Sequence, residues 1–260
     1  MKVKHLGGGV VLIEDLLDAE TLKSIDFGLI ESSCTPIGYK KIDGKDYMEG
    51  GYYIPEKDLI TMPIRYMQGI DKFDFYQAID NAAYIAAVEY CKIFPIATEN
   101  ITSFNSKHFV KYLPGGVMGT HSDASISYKE GTLEPASISS IGNTVSMSII
   151  LNDEFIGGKM NFKLWDIGIS PKPGSALLYP SNYIGAHEVE FVTAGVRWVF
   201  LAFLSHGDKS FTVNPELERY SERYEWTMKF RQYIRDYYNQ IGSDSLDHIG
   251  NLNFCQKKVI

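Results

Sequence analysis

The period of apolar and polar positions changes twice along the chain, and the changes mark three zones. In residues 1 to 100 the pattern predicts a short strand at Val10 to Ile13. A helix capped by Asp18 follows, with Leu22, Ile25 and Leu29 turned inward. A second helix is more strongly marked. From about Asp74 to Phe94 the positions Phe75, Ile79, Ala82, Ala83, Ala86, Ala87, Tyr90 and Phe94 recur at three and four, a face broad enough to lie on a sheet. Between the helices, GYKKIDGKDYMEGGYYIPEKD is rich in Gly, Tyr and charge and reads as an irregular or hairpin-containing cover.

From 101 to 206 the runs shorten to strand length: HFVKYL, GTHSDAS, TVSMSIIL, KMNFKLW, SALLYP, AHEVEFV and VRWVFLAFL, punctuated by Gly or Pro. No helix-length insert lies between them, so the pattern predicts an antiparallel sandwich or barrel rather than βαβ units. From 207 to 260 the chain returns to helix, with Asn214 as cap, Pro215 at the first position and a stop near Gly242. None of the joins has linker composition. The whole chain, 1–260, therefore reads as one mostly β domain with flanking helices.

Composition narrows the function classes. The 260 residues are 45% hydrophobic and 22% charged, as in an ordinary globular chain. A net charge of −7, with scattered basic residues, disfavours a nucleic-acid partner. Three isolated cysteines (Cys34, Cys91, Cys255) form no metal or disulfide pattern, and the N-terminal apolar run is closed by Glu14 and Asp15 before it can serve as a signal peptide. The expectation is a cytoplasmic protein with no membrane partner.

Candidate chemistry begins at His121-Ser122-Asp123. Residues two apart on a strand share a face, so an imidazole and a carboxylate converge beside the sheet. With a second histidine they would make a two-His-one-carboxylate set, which binds Fe(II) on one side and leaves positions open for substrate and oxygen. Chance alone supplies about 0.4 His-x-Asp matches in such a chain, and a second one, His206-Gly207-Asp208, is present with His248 and Lys258 downstream. That set lacks strands to hold it and reads as solvated surface. Between Asp123 and His187, by contrast, lie the strands needed to close a barrel. If Thr193-Ala194-Gly195 is a three-residue turn, Arg197 lies opposite Phe191, and His187, Val189, Phe191 and Arg197 share an interior face. The implied gap of about 13 Å suits a guanidinium plus a five-carbon dicarboxylate. Arg197 stands in an apolar strand, where burial is costly unless a carboxylate pairs with it.

These residues resemble the 2-oxoglutarate- and Fe(II)-dependent dioxygenases, in particular the prolyl 4-hydroxylase-like branch. The strings HFVKYLPGGVMGTHSD, SMSIILNDEFIGGKMNF and PKPGSALLYPSNYIGAHEVEFVTAGVRWVFLAFL carry the likeness over roughly residues 101 to 205. The resemblance implies a double-stranded β-helix (jelly-roll) barrel, with His121, Asp123 and His187 as iron ligands and Arg197 on the distal carboxylate of 2-oxoglutarate. It further implies 2-oxoglutarate and O2 as co-substrates, is compatible with ascorbate, and gives Tyr112 a 2-oxoglutarate contact; the alternative for Tyr112 is a core tyrosine. Collagen-type members have lysine where Arg197 stands, which weakens a collagen substrate.

Trp165, Tyr179, Trp198 and the aromatics of the 73–94 helix read as core, His108 as a structural or edge histidine, and Gly157-Gly158 as a tight turn. The substrate expected first is a peptidyl proline, with a free amino acid or small natural product second; the covers at 38–56 and 124–144 suit either. Two other classes stay open: a non-catalytic metal- or carboxylate-binding sensor, and a metal enzyme that uses no 2-oxoglutarate.

Overall fold

The structure, a computed structural model, describes residues 1–33, 39–42, 45–48, 52–54, 57–64, 67, 69–101, 103–124, 127–128, 135–137 and 142–205. Its backbone is an antiparallel sheet in the spatial order Lys2–Gly7, Val10–Glu14, Ala176–Pro180, Asn143–Ile150, Arg197–Ser205, Ser103–Tyr112, Leu59–Pro63, Tyr52–Ile54. The middle strands are apolar on both faces because both faces are covered. Val11, Ile13, Phe109, Met147, Ile149 and Phe200 look one way, onto the helical layer. Val10, Leu12, Val110, Tyr112, Leu177, Tyr179 and Val199 look the other way, onto Met160, Phe162 and Val189 of a smaller sheet.

That smaller sheet has the order Ile167–Ile169, Met160–Phe162, His187–Val189, Met118–His121. The result is a sandwich of two facing open sheets, and the described strands do not close into a barrel. The helix Asp74–Ile93 backs the large sheet, burying Phe75, Ile79, Ala82, Ala83, Ala86, Ala87 and Tyr90 as the periodicity predicts. Its alanines let helix and sheet approach closely. Lys107, almost fully buried, pins the two layers through Asp80 at 2.7 Å.

Several expectations are corrected. The helix after Asp18 is two short helices, Ala19–Ser24 and Phe27–Ser33, broken where Ile25 is extended and Asp26 caps again by accepting from Leu29 N. Ile25 is buried, while Leu22 and Leu29 are only half-buried. Trp165 is 43% exposed, not core, with its indole N–H donating to Ile184 O. Residues 193–195 are no turn. Val192–Gly195 is a strand paired with Phe155–Gly157, and Phe191 is 59% exposed. Phe191 is turned out because the chain on either side of it is held by other segments: Gly158 N binds Phe191 O, and Val192 exchanges backbone hydrogen bonds with Gly115 and Gly116. Gly195 does adopt the left-handed conformation expected of it, with φ 71.

The C-terminal helix, the His206/Asp208/His248/Lys258 set, Cys34, Cys255 and half of the two covers lie outside the described residues. Cys91 is buried, which pushes its thiol up to about 12. No described helix is long and apolar enough to cross a membrane.

Candidate metal centre

His121 ends the strand Met118–His121 and lies directly across from His187, the first residue of His187–Val189. The register shifts between His187 and Val189: two steps on that strand face three on the other. The bulge takes up Gly119 and Thr120, so Met118 and His121 both face the core side while Thr120 turns outward to donate to Glu188. Asp123, two residues on, completes the group. One donor atom from each of His121, Asp123 and His187 lies within 4.8 Å of the others.

The two imidazoles are oriented alike. His121 Nδ1 meets Gly119 O at 2.8 Å and His187 Nδ1 meets Gly185 O at 3.0 Å. In its neutral form a ring that donates from Nδ1 to a carbonyl carries its lone pair on Nε2, free for a metal, whereas the protonated ring donates from Nε2 as well; both Nε2 atoms turn toward Asp123 or its neighbour Tyr179. His121 Nε2 lies 3.2 Å from Asp123 Oδ1, and His187 Nε2 lies 3.3 Å from Tyr179 Oη. Asp123 Oδ2 is buried with no hydrogen-bond partner. Two imidazole lone pairs and a carboxylate so placed suit a divalent cation.

Electrostatics agree. Burial alone would raise the Asp123 carboxyl, but the His121 hydrogen bond and the fields of both imidazoles outweigh it and hold the group below its ordinary value. Burial would lower His121, and Asp123 more than reverses this. His187 is lowered, chiefly by burial, which favours the neutral ring that a metal needs.

Arg197 pairs in register with Tyr112, and its guanidinium carbon sits 5.0 Å from the Tyr112 ring centroid. It is only 2% exposed, and no carboxylate among the described residues forms an ion pair with it. Burial lowers its pKa, opposed by the Tyr112 and Tyr179 hydroxyls. Gly158, at φ +66, makes room for it: a Cβ there would stand 2.8 Å from Arg197 Cδ. Tyr179 touches His187 on one side and acts on Arg197 on the other, so the metal group and the guanidinium form one continuous site.

No family model matches the chain, and no curated protein does. Solved structures match over most of its length. The viral collagen prolyl hydroxylase from Paramecium bursaria Chlorella virus-1, as its 2OG complex, is 12% identical, with a TM-score of 0.50 over 76% of this chain and 96% of that one. A prolyl hydroxylase from Trichoplax adhaerens, in complex with a hypoxia inducible factor oxygen degradation domain peptide fragment, is 13% identical, with a TM-score of 0.51 over 76% and 84%. The chain shares its fold with these two prolyl hydroxylases. At these identities the likeness is one of fold, and the chemistry of the site is argued from its side chains.

Of the sequence-derived site residues, His121, Asp123 and His187 converge, and Arg197 lies against Tyr112. Phe191 does not join them. Tyr179 and Gly158 do, although the sequence suggests only core and turn for them. A tyrosine ending an otherwise aliphatic strand eight residues before His187 is the one signal for the first. Nothing local distinguishes the second.

Proposed function

We propose that this protein is a dioxygenase that hydroxylates a C–H bond while converting 2-oxoglutarate and O2 to succinate and CO2, with Fe(II) as its metal. The observation that carries the reading is a converging His–Asp–His group next to a buried guanidinium with which no carboxylate among the described residues pairs. Either half occurs alone in other proteins; together they fit a metal and a dicarboxylate. We read the two facing sheets as halves of a double-stranded β-helix within one catalytic domain. A peptidyl proline is the first substrate to try, supported by the peptide held in the Trichoplax adhaerens neighbour.

In this reading His121, Asp123 and His187 hold the iron, which when bound supplies the redox chemistry that activates O2. The protein's own residues do the rest. Carbonyls of Gly119 and Gly185 fix the two rings so that no reorientation is needed on loading. Arg197 would bind the distal carboxylate with both arms of its guanidinium, and Tyr112 and Tyr179 would flank it. Met160, Phe162 and Val189 wall the site with apolar surface that keeps water out.

Anaerobic addition of Fe(II) and then 2-oxoglutarate should produce the visible charge-transfer band of a chelated keto acid, absent in His187→Ala. Absence of the band in the native protein would sink the assignment and favour a site that uses no 2-oxoglutarate.

Gly158→Ala tests the clearance around Arg197. The new Cβ forces the arginine stem aside, so the dissociation constant for 2-oxoglutarate should rise about tenfold, as expected for one impaired charged hydrogen bond. Iron affinity should hold, and equal losses of both would show a general collapse instead.

A further inference from the structure

Lys57 is a second cation on this site that the proposed reaction does not use. It lies in the turn before the strand Leu59–Pro63, and its half-buried ammonium contacts Met118 Sδ at 3.1 Å. Met118 starts the strand that ends in His121, and the bulge puts both side chains on the core face. From the His121/His187 pair to the Met118/Val189 pair is two rises on the unbulged strand, roughly 7 Å of ladder. The ammonium therefore stands within a small molecule's length of the metal group. It is close enough that its field acts on His121.

Its position is built. Val117 N donates to Lys57 O and Leu113 N to Asp58 O, both at 3.0 Å, while Asp58 takes the left-handed conformation at φ 42. The Leu113–Val117 turn is tied in turn to Val192. An ammonium has three donors and a thioether is a weak acceptor. Among the described residues no carboxylate pairs with Lys57. A cation held at the wall of a reaction site on a neutral, weak partner is poised to exchange that partner for an anion.

We propose that Lys57 is an anion subsite for the substrate, so that the compound hydroxylated here carries a carboxylate close to the reacting carbon, taken up by the Lys57 ammonium in place of Met118 Sδ. This rests on the dioxygenase reading, in which Arg197 is engaged by 2-oxoglutarate and Lys57 is left for the substrate. The carboxylate can come from the α-carboxyl of a free amino acid or from an acidic side chain in a peptide.

The test is succinate formation by the full chain loaded with Fe(II) and 2-oxoglutarate. The probes are free L-amino acids, their amides, and end-blocked tetrapeptides with and without Asp or Glu. Carboxylate-bearing probes should stimulate turnover and lose the effect on amidation. Lys57→Met should raise the KM for a stimulating probe about tenfold or more, and Lys57→Arg should restore it. Stimulation by free amino acids, or only by acidic peptides, identifies the source. Amides as effective as acids, an unchanged KM in Lys57→Met, or no stimulation by any carboxylate would each overturn the proposal. If the keto-acid band is absent in the native protein, the dioxygenase reading fails and this one falls with it; a band with no such stimulation defeats this one alone.

Discussion

Asp123→Ala is expected to lower Fe(II) affinity by more than about 100-fold and to end 2-oxoglutarate turnover, with the fold kept. Groups that merely orient a metal ligand are worth 10- to 100-fold, so removing an anionic ligand itself must cost more. The fold should survive because Asp123 contributes little to it beyond its ion pair with His121. Its second oxygen is buried without a partner, a cost that the substitution removes. Calorimetric iron binding and a thermal melt check both halves. Retained iron affinity would remove Asp123 from the site, and loss of the cooperative melt would make it structural.

Arg197→Met should separate stability from function. The guanidinium is buried without a carboxylate, and replacing such a charge with an apolar side chain of similar length is neutral or stabilising. The Tm of the protein without co-substrate should therefore hold or rise. The affinity for 2-oxoglutarate should fall by about 2 to 5 kcal/mol, a factor of roughly 30 or more, because the dicarboxylate loses its buried partner. Iron affinity should change little. A lower Tm with unchanged 2-oxoglutarate affinity would turn Arg197 into a structural residue stacked on Tyr112.

The parts of this molecule legible in the sequence are those specified by short-range pattern. The helix Asp74–Ile93 announces itself through its alanines and aromatics, and His121 with Asp123 through their spacing. Arg197 stands out because a guanidinium in the run VRWVFLAFL demands a reason. The break at Ile25 is not anticipated by the pattern, which runs one helix through Leu29; Asp26 caps the second piece. What the sequence conceals is pairing between distant segments. Thr193, Ala194 and Gly195 look like a turn until Phe155–Gly157 comes alongside them. Arg197 stands in register with Tyr112, not with Phe191, so the turn geometry read from the sequence does not account for its place. Tyr179 joins through the Tyr183–Gly185 turn that folds His187 back against it, a geometry that no spacing rule contains.

The strand Met118–His121 closes one side of the smaller sheet, with His187–Val189 as its only ladder partner among the described residues. One of the three candidate metal donors, His121, thus belongs to a border strand that can fray, while the interior strand keeps His187 in place and Asn143 holds Asp123 by its backbone carbonyl. Release of a bound ion would then be an opening of the border of one sheet that leaves the helix-backed core intact. The same linkage runs in reverse: a bound metal would stitch that border shut by RT ln(1 + [M]/Kd), so occupancy would set how long the border stays ordered.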